Sequence, residues 1–100
     1  MSKDKAYPKV RRVEPRPAKT LRVTFENGVQ KEYDCTPLLQ SEAFRPLQDD
    51  ALFRCAHADT HGFGVVWNDE IDLAESEVWI NGRMVEQSPG GDAVYRAPRL

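Results

Sequence analysis

The sequence predicts an α+β domain: a small antiparallel sheet built from two hairpins, with short helices between them. Three observations predict it. Thr20–Phe25 alternates cleanly, Leu21, Val23 and Phe25 on one face and Thr20, Arg22 and Thr24 on the other, the period-two pattern of a half-buried strand. Asn27-Gly28 follows, and Val29–Cys35 alternates again; Asn-Gly tolerates the positive φ angles that a tight hairpin turn demands. Finally, no segment sustains the apolar period of a long amphipathic helix.

In chain order, Val10–Glu14 is a short β-like segment closed by Pro15 and Pro17. Prolines cannot donate to a ladder, so this strand belongs at a sheet edge. The hairpin Thr20–Cys35 comes next. Thr36-Pro37 is a helix start, with Thr36 as N-cap and Pro37 in the first helical position. A second helical turn is expected near Arg45–Asp50, anchored by Phe44 and Leu47. Leu52–Asp59 is expected as a third main strand, Asp59–Gly62 as a turn and Phe63–Trp67 as a fourth strand, Val65 and Trp67 facing one way and Val66 the other. Asn68-Asp69-Glu70 breaks that strand. Ile71–Ala74 is expected as a turn of helix and Val78–Ile80 as a short edge strand.

The foldable part is placed at residues 9–85, between an N-terminal arm (1–8) and a C-terminal tail (86–100) that are polar and lack an apolar period. No apolar run approaches the ~20 residues that span a bilayer. The first residues lack the apolar core of a secretory signal. With two cysteines, too few for a disulfide framework, the expected location is the cytoplasm. Charge is uneven. Met1–Arg22 is rich in Lys and Arg, whereas Glu42–Glu77 carries nine carboxylates against Arg45 and Arg54. Such asymmetry marks a partner surface, or two solvated faces that attract one another.

Several residues could bear chemistry. His57, Asp59 and His61 would point the same way if the strand continued, offering two imidazoles and a carboxylate to a metal; against this, Gly62 places Asp59 and His61 in a turn. Cys35 and Cys55 lack metal-site spacing and an evident base, so they read as small core or near-core residues rather than nucleophiles. Asp69, Glu70, Asp72, Glu75 and Glu77 lack the spacing of a calcium loop and read as a solvated face, with Asp72 capping a short helix. No catalytic residue, cofactor site or metal site is assigned. The basic N-terminal segment offers phosphate contacts to nucleic acid, but without a helix-turn-helix, zinc-knuckle or aromatic-basic motif it supports only weak, salt-sensitive binding. Trp67 is expected in the core, and Trp79 as an exposed interface anchor.

The order of these segments resembles the small bacterial proteins of the domain of unknown function 2442 family. The resemblance rests on Pro8-Lys9-Val10 with Val13 and Pro15, on Leu21-x-Val23-x-Phe25-x-Asn27-Gly28, and on Tyr33-Asp34 before Pro37-Leu38-Leu39. It continues through Phe44-x-x-Leu47, Leu52-Phe53, Gly64-x-Val66-Trp67 and Asp72-Leu73, covering Pro8–Ile80. The chain departs from it at Asn68-Asp69-Glu70-Ile71, where many members have a proline and a glycine. The resemblance implies a compact sheet with short helices and no established activity or catalytic residues. Some members carry an added helix-turn-helix region, which implies regulation and which this chain lacks; some look like partners in toxin–antitoxin-style gene pairs.

Together these readings predict a non-enzymatic interaction module, regulatory and acting through a protein partner, with Arg11, Arg12 and Trp79 as the partner surface. Pairing of the edge strand into a homodimer fits so small a core. The alternatives are a nucleic-acid-associated protein using the basic N-terminal segment and a metal-binding enzyme using His57, Asp59 and His61.

Overall fold

The computed structural model describes residues 7–85; the expected arm and tail fall largely outside them. The chain forms the predicted small α+β fold, but its strands divide between two antiparallel sheets. The larger sheet has the order β1-β2-β3-β7: β1 is Val10–Arg16, β2 Thr20–Phe25, β3 Gln30–Asp34 and β7 Arg83–Met84. The smaller has the order β4-β5-β6, with β4 at His57–Ala58, β5 at Gly64–Asn68 and β6 at Ile71–Ala74. Two 3-10 helices (Thr36–Gln40 and Arg45–Gln48) and α1 (Asp50–Phe53) link the sheets, and α2 (Glu75–Asn81) leads from β6 to β7.

The predicted hairpin is β2–β3. Leu21 faces Tyr33 and Val23 faces Lys31 across it. Leu21, Val23, Phe25 and Cys35 are completely buried, joined in the core by Leu47, Val65 and Val78. The Asn27 carboxamide accepts from the Val29 amide at 3.0 Å, closing the turn. β1 lies at the sheet edge, as its prolines require, but continues through Pro15 to Arg16. The turn beyond it holds Ala18 at φ 63° and Lys19 at φ 57°, a left-handed conformation that costs about 1–3 kcal/mol for a non-glycine residue. It aims Lys19 across the molecule, where its ammonium donates to the Gln48 carbonyl and to Asp50 and lies 5.3 Å from the Phe53 ring centre.

Five local expectations are corrected. Leu52 and Phe53 are in α1, not in a strand, because the Asp49 carboxylate accepts from the Ala51 amide at 3.0 Å and caps a helical turn; only His57–Ala58 of that segment is extended. Ile71–Ala74 is a strand, not helix: Asn68 accepts from the Glu70 and Ile71 amides at 2.8 and 2.9 Å, reversing the chain so that Leu73 pairs with Val65. Val78–Ile80 is helical, and the edge strand falls at Arg83–Met84 instead. Glu75 and Glu77 occupy the first turn of α2, where the helix dipole favours negative charge. Asp72 lies on β6, and the residue preceding α2 is Ala74. Thr36 is the first residue of its 3-10 helix, not its cap; the Asp34 carboxylate accepts from the Thr36 amide at 2.9 Å.

Trp67 is buried as predicted, its indole N–H donating to the Phe53 carbonyl at 3.2 Å, which fastens α1 to the smaller sheet. No helix among the described residues is long and apolar enough to cross a membrane.

Candidate functional site

The histidine segment resolves into a turn. Asp59 Oδ2 accepts from the backbone amides of His61 (2.8 Å) and Phe63 (3.2 Å), and the Gly62 amide donates to the Asp59 carbonyl at 2.9 Å. The two bonds to the carboxylate, that from His61 foremost, hold the Asp59 carboxyl below its ordinary range, because hydrogen bonds to the charged form favour it. The exposed His57 ring faces the Cys55 carbonyl through Nδ1 at 2.8 Å. His57, Asp59 and His61 therefore do not assemble as ligands: no group of three or more His, Cys, Asp or Glu among the described residues is placed to hold a metal ion. The two thiols are also apart in character. Burial pushes the fully enclosed Cys35 up to about 12, whereas Cys55 is exposed.

The predicted partner surface is divided. Arg12, with its side chain 69% exposed, pairs with Glu14 at 2.9 Å on the outer face of the larger sheet. Arg11 is exposed beside it, where the register slips between Val10 and Arg12. Trp79 lies on the inner face of the same sheet. It is half-buried, edge-on to Phe25 at 5.0 Å. The Lys31 ammonium sits 4.3 Å from its ring centre and donates to its carbonyl. Trp79 is thus a packing residue shielded from the surface that Arg12 occupies; the exposed apolar groups near it are Ile80 (61%) and Met84 (59%).

Across the outer sheet face, Glu14 faces Arg22, Arg22 faces Glu32 and Glu32 faces Arg83. Arg22 and Arg83 reach Glu32 at 2.8 and 2.6 Å, and the Arg22 bond is the main cause that holds the Glu32 carboxyl low. This ladder of alternating charge spans all four strands. It follows from period-two alternation on adjacent strands, but the register that aligns it is a property of the sheet.

A second feature escapes sequence reasoning. Phe63, expected inside a strand, is 56% exposed just before β5. Its ring lies nearly parallel to that of His61, 6.1 Å away at 19°, and Lys9 approaches to 5.5 Å from its centre. Val10 donates its amide to the Gly62 carbonyl at 2.8 Å, tying β1 to this loop. Gly62, at φ 82°, lies so close that a Cβ there would fall 2.7 Å from that of Lys9. A shallow groove of about 330 Å³ runs along this junction, lined by Lys9, Arg11, Glu26 and the 58–62 loop. The signal in the sequence is only His61-Gly62-Phe63; the proximity of Lys9 is a tertiary fact.

Fold and surface define a small two-sheet α+β module with arginines on the edge and outer face of its larger sheet. The chain belongs to the family described as Protein of unknown function (DUF2442), whose model matches residues 10–82. It is similar to a crystal structure from Nitrosomonas europaea ATCC 19718 described as a "Putative DNA Binding Protein", with 26% identity and a TM-score of 0.66. The match covers 78% of this chain and 50% of that one, so this chain spans half the length of that protein. No curated protein matches the chain.

Proposed function

We propose that this chain is a non-enzymatic regulatory module of the cytoplasm that binds a protein partner through the arginine-bearing edge of its larger sheet. The observation that carries this reading is the placement of Arg11 and Arg12, both exposed on the edge strand β1, with Arg12 on a face that also bears Arg16, Arg22 and Arg83. Glu14 and Glu32 already pair with Arg12, Arg22 and Arg83 on that face, so the match of guanidinium to an acidic protein surface rests chiefly on Arg11 and Arg16. Two free thiols, Cys35 and Cys55, accord with a reducing compartment. Trp79 and the exposed Ile80 and Met84 belong to α2 and β7, at the far edge of the sheet from β1, and are left out of this surface. The test is affinity capture from the native lysate with the wild-type chain and with Arg11→Ala/Arg12→Ala, followed by calorimetry on the purified pair. A partner bound by the wild type and at least about tenfold more weakly by the variant is expected; no specific partner would overturn the reading.

One further reading, nucleic-acid association, is favoured by the cationic and aromatic corner at Lys9, Arg11, His61 and Phe63, and by the likeness to the Nitrosomonas protein described as a "Putative DNA Binding Protein". It predicts retention on nucleic acid that falls steeply with salt.

A further inference from the structure

We propose that the corner formed by Lys9, Arg11, His61 and Phe63 binds single-stranded nucleic acid, a base stacking on the Phe63 ring while the adjoining phosphates meet Lys9 and Arg11. This rests on the nucleic-acid reading and specifies its site and strandedness. Phe63 is 56% exposed as a residue, on a backbone that is held from several sides. The Asp59 carboxylate takes the His61 and Phe63 amides, Gly62 accepts from Val10 at 2.8 Å, and the Phe63 carbonyl accepts from Glu75 at 3.2 Å. A loop so tied holds the backbone that carries both rings in one place, and a preformed backbone spends less ordering entropy on binding.

The chemistry around the ring selects the ligand. His61 lies nearly parallel to Phe63, and Lys9 stands 5.5 Å from its centre, so planar faces and cationic charge adjoin. That pairing is how sequence-tolerant single-strand sites work, with aromatic rings stacking on bases and cations following the backbone. In a duplex both faces of each internal base are covered by their neighbours, leaving nothing for Phe63 to stack upon. Asp59 and Glu26 line the same groove. Asp59, kept anionic by the amides of its own loop, and Glu26 both oppose phosphate and keep the affinity modest.

Fluorescence anisotropy of a labelled oligothymidylate, against a labelled mixed-sequence duplex, tests the proposal on the full chain. The single strand is expected to bind more tightly than the duplex. Phe63→Ala should weaken it by about fivefold or more, Phe63→Tyr should retain it, and Lys9→Ala should lower the slope of log K against log salt by about 0.7. Circular dichroism confirms that each variant folds. Equal binding of duplex and single strand, indifferent to Phe63→Ala, would overturn the platform while leaving nucleic-acid association standing. Absence of binding to either at low salt would overturn both. Loss of a captured protein partner on Phe63→Ala, with oligonucleotide binding unchanged, would make this corner a protein interface and overturn the proposal.

Discussion

Cys35 and Cys55 show how far the environment of a single residue departs from its identity. Cys35 ends the β3 alternation, completely enclosed, and burial pushes its thiol up to about 12; Cys55 follows α1 and is exposed, its sulfur 3.4 Å from the Ala51 carbonyl. Because the thiolate is the reactive form, iodoacetamide at neutral pH is expected to label Cys55 alone in the folded chain and both thiols in urea, read by intact mass. Rapid labelling of Cys35 without denaturant would contradict the packing described. The buried character of Cys35 was legible from its place in line with Val29, Lys31 and Tyr33. Exposure of Cys55, and of Phe63, was not, since each lies in an irregular segment whose side-chain directions follow no period. Lys19 is a third case: nothing in Pro17-Ala18-Lys19 announces two left-handed residues without a glycine; they close the tight turn between β1 and β2, where Arg16 pairs with Thr20, and carry Lys19 to Gln48 and Asp50.

At the scale of elements, α2 is held by its side chains more than by its own length. Seven residues are too few for a helix to persist alone. Val78 is completely buried, Glu77 accepts from the Tyr33 hydroxyl at 2.8 Å, and Lys31 reaches from β3 to the Trp79 carbonyl. That last contact brings an ammonium to the last turn of α2, where carbonyls gather negative charge, while the same group lies over the Trp79 indole. Replacing Lys31 by Met keeps most of the stem and removes the charge. The expected cost is about 1–3 kcal/mol, measured by urea denaturation, with a change in tryptophan emission as Trp79 loses its cation. An unchanged midpoint would show that Lys31 contributes nothing to docking α2. Val78-Trp79-Ile80 alone is equally compatible with strand and helix, as is Ile71–Ala74. Three or four apolar residues do not separate the two periods, so packing partners decide.

For the whole molecule, four carboxylates report on the integrity of the fold at once. Glu32, Asp34, Asp50 and Asp59 are all held below their ordinary values: by Arg22, by the Thr36 amide, by Lys19 and by the His61 amide, respectively, as the main cause of each. A group whose value is lower folded than unfolded adds stability above the unfolded value and loses it as pH falls through the folded one. The urea midpoint is therefore expected to hold between about pH 7 and pH 5 and to fall below about pH 4. Asp59→Asn keeps an acceptor for the loop but does not titrate, so its midpoint should fall less steeply in acid; an identical acid limb would remove Asp59 from this account. The sequence by itself determined the α+β class, the β2–β3 hairpin and its buried face, and the edge position of β1. These depend on alternation, a two-residue turn and proline chemistry, all of which act between near neighbours. Only the tertiary structure decided that the strands split into two sheets, that Trp79 turns inward beneath Lys31, and that Lys9 meets Phe63. Those outcomes join residues distant in the chain, and they are settled by which surfaces exclude water together, a quantity that no local pattern contains.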